Sequence, residues 1–195
     1  QAAVYAHDMI KAGTASIALA GGMESMSNAP HVLPGSRSGI GTGDKTIYDH
    51  MFLDGLSDAY TGKAMGTFAQ GTADDNNISR EEMDAFAIES TIRAQKAIAD
   101  GSLKAEIVPV TIKTRKSETV IEDDEQPGKA RLDKIPSLRP AFAKDGTITP
   151  ANSSSISDGA SALVLMKESE ANARGLKPLA RIVAHSSNSH EPELF

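Results

Sequence analysis

The segment that most narrows what this chain can fold into lies at its start. Residues 1–12, QAAVYAHDMIKA, set Ala3, Val4, Ala6 and Ile10 at helical spacing, and Gly13 is a natural C-terminal stop. A few residues later the pattern becomes SIALA (16–20), uniformly small and apolar. That is the signature of a fully buried strand of parallel type. A helix that feeds such a strand through a short glycine turn is half of a βαβ unit, so the fold class reads as α/β. The strand hands over to Gly21-Gly22 and then to MESMS (23–27). A phosphate loop, a subunit contact and an ordinary turn all fit this. Neither G-x-G-x-x-G nor G-x-x-x-x-G-K-[ST] is present, which favours a tight turn. Met23 and Met26 suit either the core or a contact with another subunit.

From residue 31 the character changes. Residues 31–77 are rich in Gly, Asp, Ser and Pro, and the stretch is too long for a plain loop. It reads as an inserted subdomain with short helices over 46–56 and 63–76. Residues 80–100 are the clearest helix: Ser79 with Glu82 forms a capping box, apolar and small residues from Met83 to Ile98 recur at three- and four-residue spacing, and Gly101 ends it. EIVPVTI (106–112) is a strand whose Pro109 implies an edge position. Residues 113–140 are charged and irregular, and 143–150 form a turn-rich link. Asp158-Gly159 reads as a tight turn, 162–166 as a buried strand, 167–176 as a surface helix stopped by Gly175, and 179–187 as a further strand. The expected domains are 1–30 (core), 31–150 (insertion) and 151–195 (return to the core).

The net charge of −6 argues against nucleic acid as the main partner. No apolar run approaches the roughly 18–20 residues of a membrane span, and no membrane partner is expected. With no cysteine, the chain has no disulfide, thiolate metal site or cysteine nucleophile of its own. That composition fits a reducing, cytoplasmic setting. Gln1 already lies inside a helical pattern, so the sequence reads as a piece of something longer.

The residues alone yield no complete catalytic set. His7, His31, His50, His185 and His190 show no i,i+4 pairing and no recognised metal-ligand spacing, so no metal is expected. Glu122–Glu125 lacks the glycine and terminal glutamate of a calcium loop. Ser153, Ser154 and Ser155 sit in no G-x-S-x-G elbow; such a loop turns or binds polar ligand atoms. Lys113, Arg115, Lys116, Lys129, Arg131, Lys134 and Arg139 form a local basic excess. It suits either a mixed charged surface or a phosphorylated ligand.

Four ordered segments are more specific: ALAGGMESMSNAPH, LSDAYTGKAMGTFAQ, ISREEMDAFAIESTIRAQKAIADG and LRPAFAKDGTITPANSSSISDGASALVLM. Together they cover nearly the whole chain, and the sequence resembles the thiolases. The resemblance implies a thiolase-like fold in αβαβα layers, of which this chain is part of the N-terminal half. It also implies a loop domain that covers coenzyme A. The implied chemistry is condensation of two acetyl-CoA to acetoacetyl-CoA, or the reverse thiolysis. An acyl group is carried on a cysteine at a helix N-terminus, and a histidine and a second cysteine move protons. By this resemblance the nucleophile precedes Gln1 and the remaining catalytic motifs follow Phe195. No catalytic residue is therefore expected in this chain, and the chain alone is expected to be inactive.

What the resemblance does carry over is a platform for coenzyme A or acetyl-CoA, bound as substrate and not as a permanent cofactor. Leu56 corresponds to a pocket-lining leucine, Met65 to a methionine near the acyl pocket, and Ala141 and Phe142 to residues packing on the ligand. Ser154 corresponds to the serine that bonds the pantetheine arm, flanked by Pro150 and Ile156. Ile135 is a pocket wall. Ala64 stands where some thiolases carry histidine. Lys129, Arg131 and Lys134 are candidates for the nucleotide phosphates. A homodimer or homotetramer is implied. The alternative is a non-catalytic fragment or degenerate paralogue serving as a binding or oligomerisation module. Without the strands expected before Gln1, residues 16–20 and 162–166 should expose apolar edges and limit solubility.

Overall fold

The computed structural model describes residues 1–194. The chain forms two compact units. The sequence suggests divisions at residues 30 and 150; the units as folded divide after Gly62 and after Ser155.

The first unit comprises Gln1–Gly62 and Ile156–Glu191. Helix α1 (Ala2–Lys11) buries Ala6 and Ile10, the apolar stripe read from the sequence. Gly13 takes a positive φ of 78°, which frees the amides of Thr14 and Ala15 to bond back to the Met9 carbonyl. Strand β1 (Ile17–Ser25) runs antiparallel to the later strand β6 (Asp158–Met166), with Ile17 opposite Met166 and Ser25 opposite Asp158. Two sequence expectations are corrected here. The pairing is antiparallel, and Gly21-Gly22 is not a turn but the middle of the strand. The physical reason is close approach: a Cβ on Gly21 would lie 2.6 Å from the Ser161 carbonyl oxygen. Asp158-Gly159 is likewise strand and not turn. The Asp158 carboxylate accepts the Ser27 amide at 2.9 Å, and that bond holds it below the ordinary carboxylate value. Leu19, Leu163 and Val164 on this ribbon are exposed.

Two short strands, β2 (His31–Val32) and β3 (Tyr48–Asp49), pair antiparallel. The helix expected over 46–56 is therefore a strand followed by a π-helical turn, Met51–Leu56. Asp49 diverts the chain by accepting the Met51 amide at 2.9 Å. The strand expected over 179–187 does not form: residues 180–191 hold neither helix nor strand. Among the described residues every sheet is two-stranded, and none of the three ladders includes that segment.

The second unit comprises Lys63–Ser155 with the 3₁₀ turn Pro192–Leu194. Helices α2 (Met65–Asp75) and α3 (Arg80–Ala99) are joined through Asn77, which has a positive φ of 52°. The capping box at Ser79 and Glu82 is complete in both directions. Phe86, one of the expected apolar-face residues of α3, is exposed, whereas Asp84 and Ala87 are buried. A hairpin follows, β4 (Val110–Lys113) with β5 (Glu118–Ile121), and Pro109 sits just outside its first strand. The acidic run ends in a short helix, α4 (Glu125–Lys129), which Asp124 caps through the Gln126 amide. A 3₁₀ helix, Leu132–Ser137, buries Ile135. The remaining helix, α5 (Glu168–Ala173), belongs to the first unit and closes as expected before Gly175.

Candidate functional site

The site is built on the irregular segment 141–154, which a set of buried polar side chains holds in shape. Gln70 on α2 is 6% exposed, and its Oε1 accepts the amides of Thr147 (2.9 Å) and Ile148 (3.2 Å). Its Nε2 donates to Asp74 and to the Thr147 hydroxyl. Thr149 is fully buried, and its Oγ1 accepts the amides of Ala151 and Asn152. Asn152 accepts the Thr149 amide at 2.8 Å and donates to the Thr147 carbonyl at 3.0 Å. It also donates to the buried Asp84 carboxylate on α3 at 3.2 Å. Asp84 is fixed by Arg80, one helical turn earlier, at 2.6 Å. The Arg80 guanidinium reaches on to the carbonyls of Ile135 (2.9 Å) and Leu138 (3.1 Å). These bonds meet the amides of Thr147, Ile148, Thr149, Ala151 and Asn152 and the carbonyl of Thr147, groups that a buried loop could not leave unpaired without cost.

Beside the loop lies a cavity of about 700 Å³ between α3 and residues 151–154. Met83, Phe86 and Ala87 form its apolar wall, and Asn76, Asn152 and Ser154 supply polar atoms. This mixture suits a flexible ligand with an apolar stem and amide groups. Glu82 also borders it; the Ser79 amide holds that carboxyl below its ordinary value, so it stays anionic.

The sequence-predicted residues fall into separate places. Ser154 lines the cavity, and Pro150 is an exposed neighbour in the same loop. Ser153 is engaged structurally, its hydroxyl donating to the Thr149 carbonyl at 2.8 Å. The Ala141 amide donates to Ile148, anchoring Phe142, whose ring lies against Gly66 at the start of α2. Gly66 follows Met65, the first residue of that helix. Met65, Ile135, Ala141 and Phe142 are not among the cavity's lining residues. Ile135 is buried, and its carbonyl serves Arg80. Leu56 and Ile156 belong to the first unit. Each candidate phosphate contact has an acidic partner: Lys129 with Glu125, and Arg131 and Lys134 with Asp133. These pairs are exposed and weak, so the cations stay exchangeable.

Sequence reasoning missed Gln70, Arg80, Asp84, Thr149 and Asn152. Arg80 and Asp84 had a local signal, an i,i+4 ion pair with its acid among apolar positions. Gln70 has a local partner in Asp74, four residues on, but nothing nearby announces its role in the loop, because the amides that its Oε1 accepts lie 77 and 78 residues away.

Comparison with known proteins agrees with this architecture. The family described as thiolase, N-terminal domain, matches residues 1–169. A probable acetyl-CoA acetyltransferase of Dictyostelium discoideum is 44% identical over all of this chain and 47% of its own length. An acetyl-CoA acetyltransferase of Chromobacterium violaceum is 46% identical over 95% of this chain and 48% of its own. The crystal structure of the Bacillus anthracis acetyl-CoA acetyltransferase superposes on the whole chain with a TM-score of 0.92 at 39% identity, using 49% of that chain. This chain thus spans about half the length of the curated relatives it matches. Its α/β fold is thiolase-like, and the chain belongs to the thiolase family, matching that family's N-terminal domain.

Proposed function

We propose that this chain supplies the coenzyme A-facing part of a thiolase-type acyltransferase, one that condenses two acetyl-CoA to acetoacetyl-CoA or runs the reverse thiolysis. The carrying observation is the superposition of the whole chain on half of an acetyl-CoA acetyltransferase. The names of the relatives support the same reaction class. Ser154 at the cavity offers a hydroxyl to the amide-bearing arm of the carrier, and Pro150 and Ile156 flank it in sequence. Met65, Ala141 and Phe142 provide apolar surface for the acyl and pantetheine portions, and buried Ile135 backs the loop behind them. The covalent step needs a sulfur nucleophile, and these 195 residues contain no cysteine. The bond-making group therefore comes from other residues, and the working enzyme is a homodimer or homotetramer acting in the cytoplasm. Among the described residues no helix is long and apolar enough to cross a membrane.

Calorimetric titration of the chain with coenzyme A tests the binding part. Ser154→Ala removes one hydrogen bond to a neutral group, about 0.5–1.5 kcal/mol, or roughly a two- to tenfold rise in Kd. An unchanged Kd in both Ser154→Ala and Phe142→Ala would discard the assigned site. In an acetyl-CoA condensation assay the chain alone releases no coenzyme A; turnover would refute the division of labour.

The absence of cysteine favours a second reading as well, a non-catalytic module that binds or oligomerises. The intact mass of the native protein separates the two. A species about twice this size with reactive thiols supports the enzyme, and a 195-residue species without thiols supports the module.

A further inference from the structure

Two imidazoles and one carboxylate converge in the first unit, at a place that the coenzyme A reading does not use. His7 Nδ1 lies 2.9 Å and His185 Nε2 lies 2.8 Å from the same Asp8 oxygen, Oδ1. The two rings stand at 89° with centroids 5.0 Å apart, an edge-to-face arrangement. One ligand atom from each of the three residues lies within 4.8 Å of the others.

We propose that His7, Asp8 and His185 form a surface site for a divalent cation of the zinc class, which clips the 180–191 segment to α1. Zinc bonds of about 2.0–2.2 Å in tetrahedral array place neighbouring donor atoms roughly 3.3–3.5 Å apart. The two imidazole–carboxylate contacts therefore have to open by only about half an ångström, and the two imidazole nitrogens, within 4.8 Å of each other, have to settle at the same spacing. Asp8 is half exposed, so its carboxylate is free to make that adjustment and water can complete the coordination. Two imidazoles with one carboxylate select zinc, cobalt, nickel or copper over magnesium or calcium, which prefer all-oxygen sets. His7 and Asp8 are adjacent on a helix, whereas His185 arrives from 177 residues away, so no local ligand spacing announces the site. The segment that carries His185 forms neither helix nor strand, and a bridging ion closes it onto α1 by a bond stronger than the hydrogen bond it replaces.

The test titrates the metal-free 195-residue chain with zinc chloride by calorimetry at about pH 7.5, where an ordinary imidazole is neutral. The expected result is one saturable equivalent, with affinity reduced at least about tenfold in both His7→Gln and His185→Gln and unchanged in His190→Gln. Zinc should also slow proteolysis within 180–191 in the wild-type chain but not in His185→Gln. If either glutamine variant fails to fold, the histidine ring resonances of the wild-type chain decide. Shifts confined to His7 and His185 sustain the site. No saturable binding, or shifts at His31, His50 or His190 in their place, would overturn it.

Discussion

Removing the Asp84 carboxylate should loosen the whole candidate site, and the size of the effect can be worked out. The Asp84 side chain is 6% exposed and that of Arg80 is 18% exposed, with 2.6 Å between them. Breaking a buried ion pair from one side costs about 3–5 kcal/mol, because a charge is left without its partner. Arg80 keeps the carbonyls of Ile135 and Leu138, which moderates that cost. Asn152 keeps the Thr147 carbonyl but loses its second acceptor. The expected cost of Asp84→Ala is therefore about 3 kcal/mol, a large fraction of the 5–15 kcal/mol typical of a domain. Guanidinium unfolding followed by far-UV circular dichroism reads it, since α3, at 20 residues, is the longest helix among the described residues. The double variant Arg80→Met, Asp84→Leu replaces both charges by apolar groups. It should lose less than Asp84→Ala alone, and the cycle with the Arg80→Met and Asp84→Leu single variants should show a coupling of about 2 kcal/mol or more. A loss below about 1 kcal/mol for Asp84→Ala, or additive losses in the cycle, would refute the view that this pair organises the loop.

Gly21→Ala should force β1 from β6, because the new methyl meets backbone at Ser161; an expected cost of about 1–3 kcal/mol would appear as faster amide exchange in both strands. Gly22→Ala, with nothing within 4 Å, is the matched control and should leave exchange unchanged. Gly66→Ala gains up to about 1 kcal/mol of helix propensity but displaces the Phe142 ring, which is 39% exposed and free to swing away. Stability should hold while coenzyme A affinity falls, as thermal melts and calorimetry on the same sample will show. Asp100 should titrate at about 2, below its ordinary 3.8, chiefly because Lys96 bonds its carboxylate. Its folded pKa is depressed, so its stabilisation is complete above 3.8 and is lost as pH falls toward 2. Lys96→Met should return the titration toward 3.8 in a carbon-detected NMR series.

Much of the fold follows from signals confined to a few neighbouring residues. Helix α1 and its stop at Gly13, the capping box of α3, and α5 before Gly175 all appear where their spacing and caps place them. Their hydrogen bonds close within four residues, so local chemistry is sufficient. The site was legible only in part. Ser154 is one of three adjacent loop serines and is set apart only by the family resemblance, and nothing near it in sequence discloses the polar scaffold that shapes that loop.

The amino-acid order by itself determined α1, α3 and α5 and their ends, because each rests on contacts between near neighbours, and four ordered motifs carried the family pattern. Only the tertiary structure decided the rest. It put Gly21 opposite Ala162 in an antiparallel ladder, left 180–191 without a strand, set Gln70 under residues 147–148, and brought His185 to Asp8. The three pairings among these join residues from 77 to 177 positions apart. Such pairings depend on which partner surfaces the folded chain presents, and no local pattern encodes that choice.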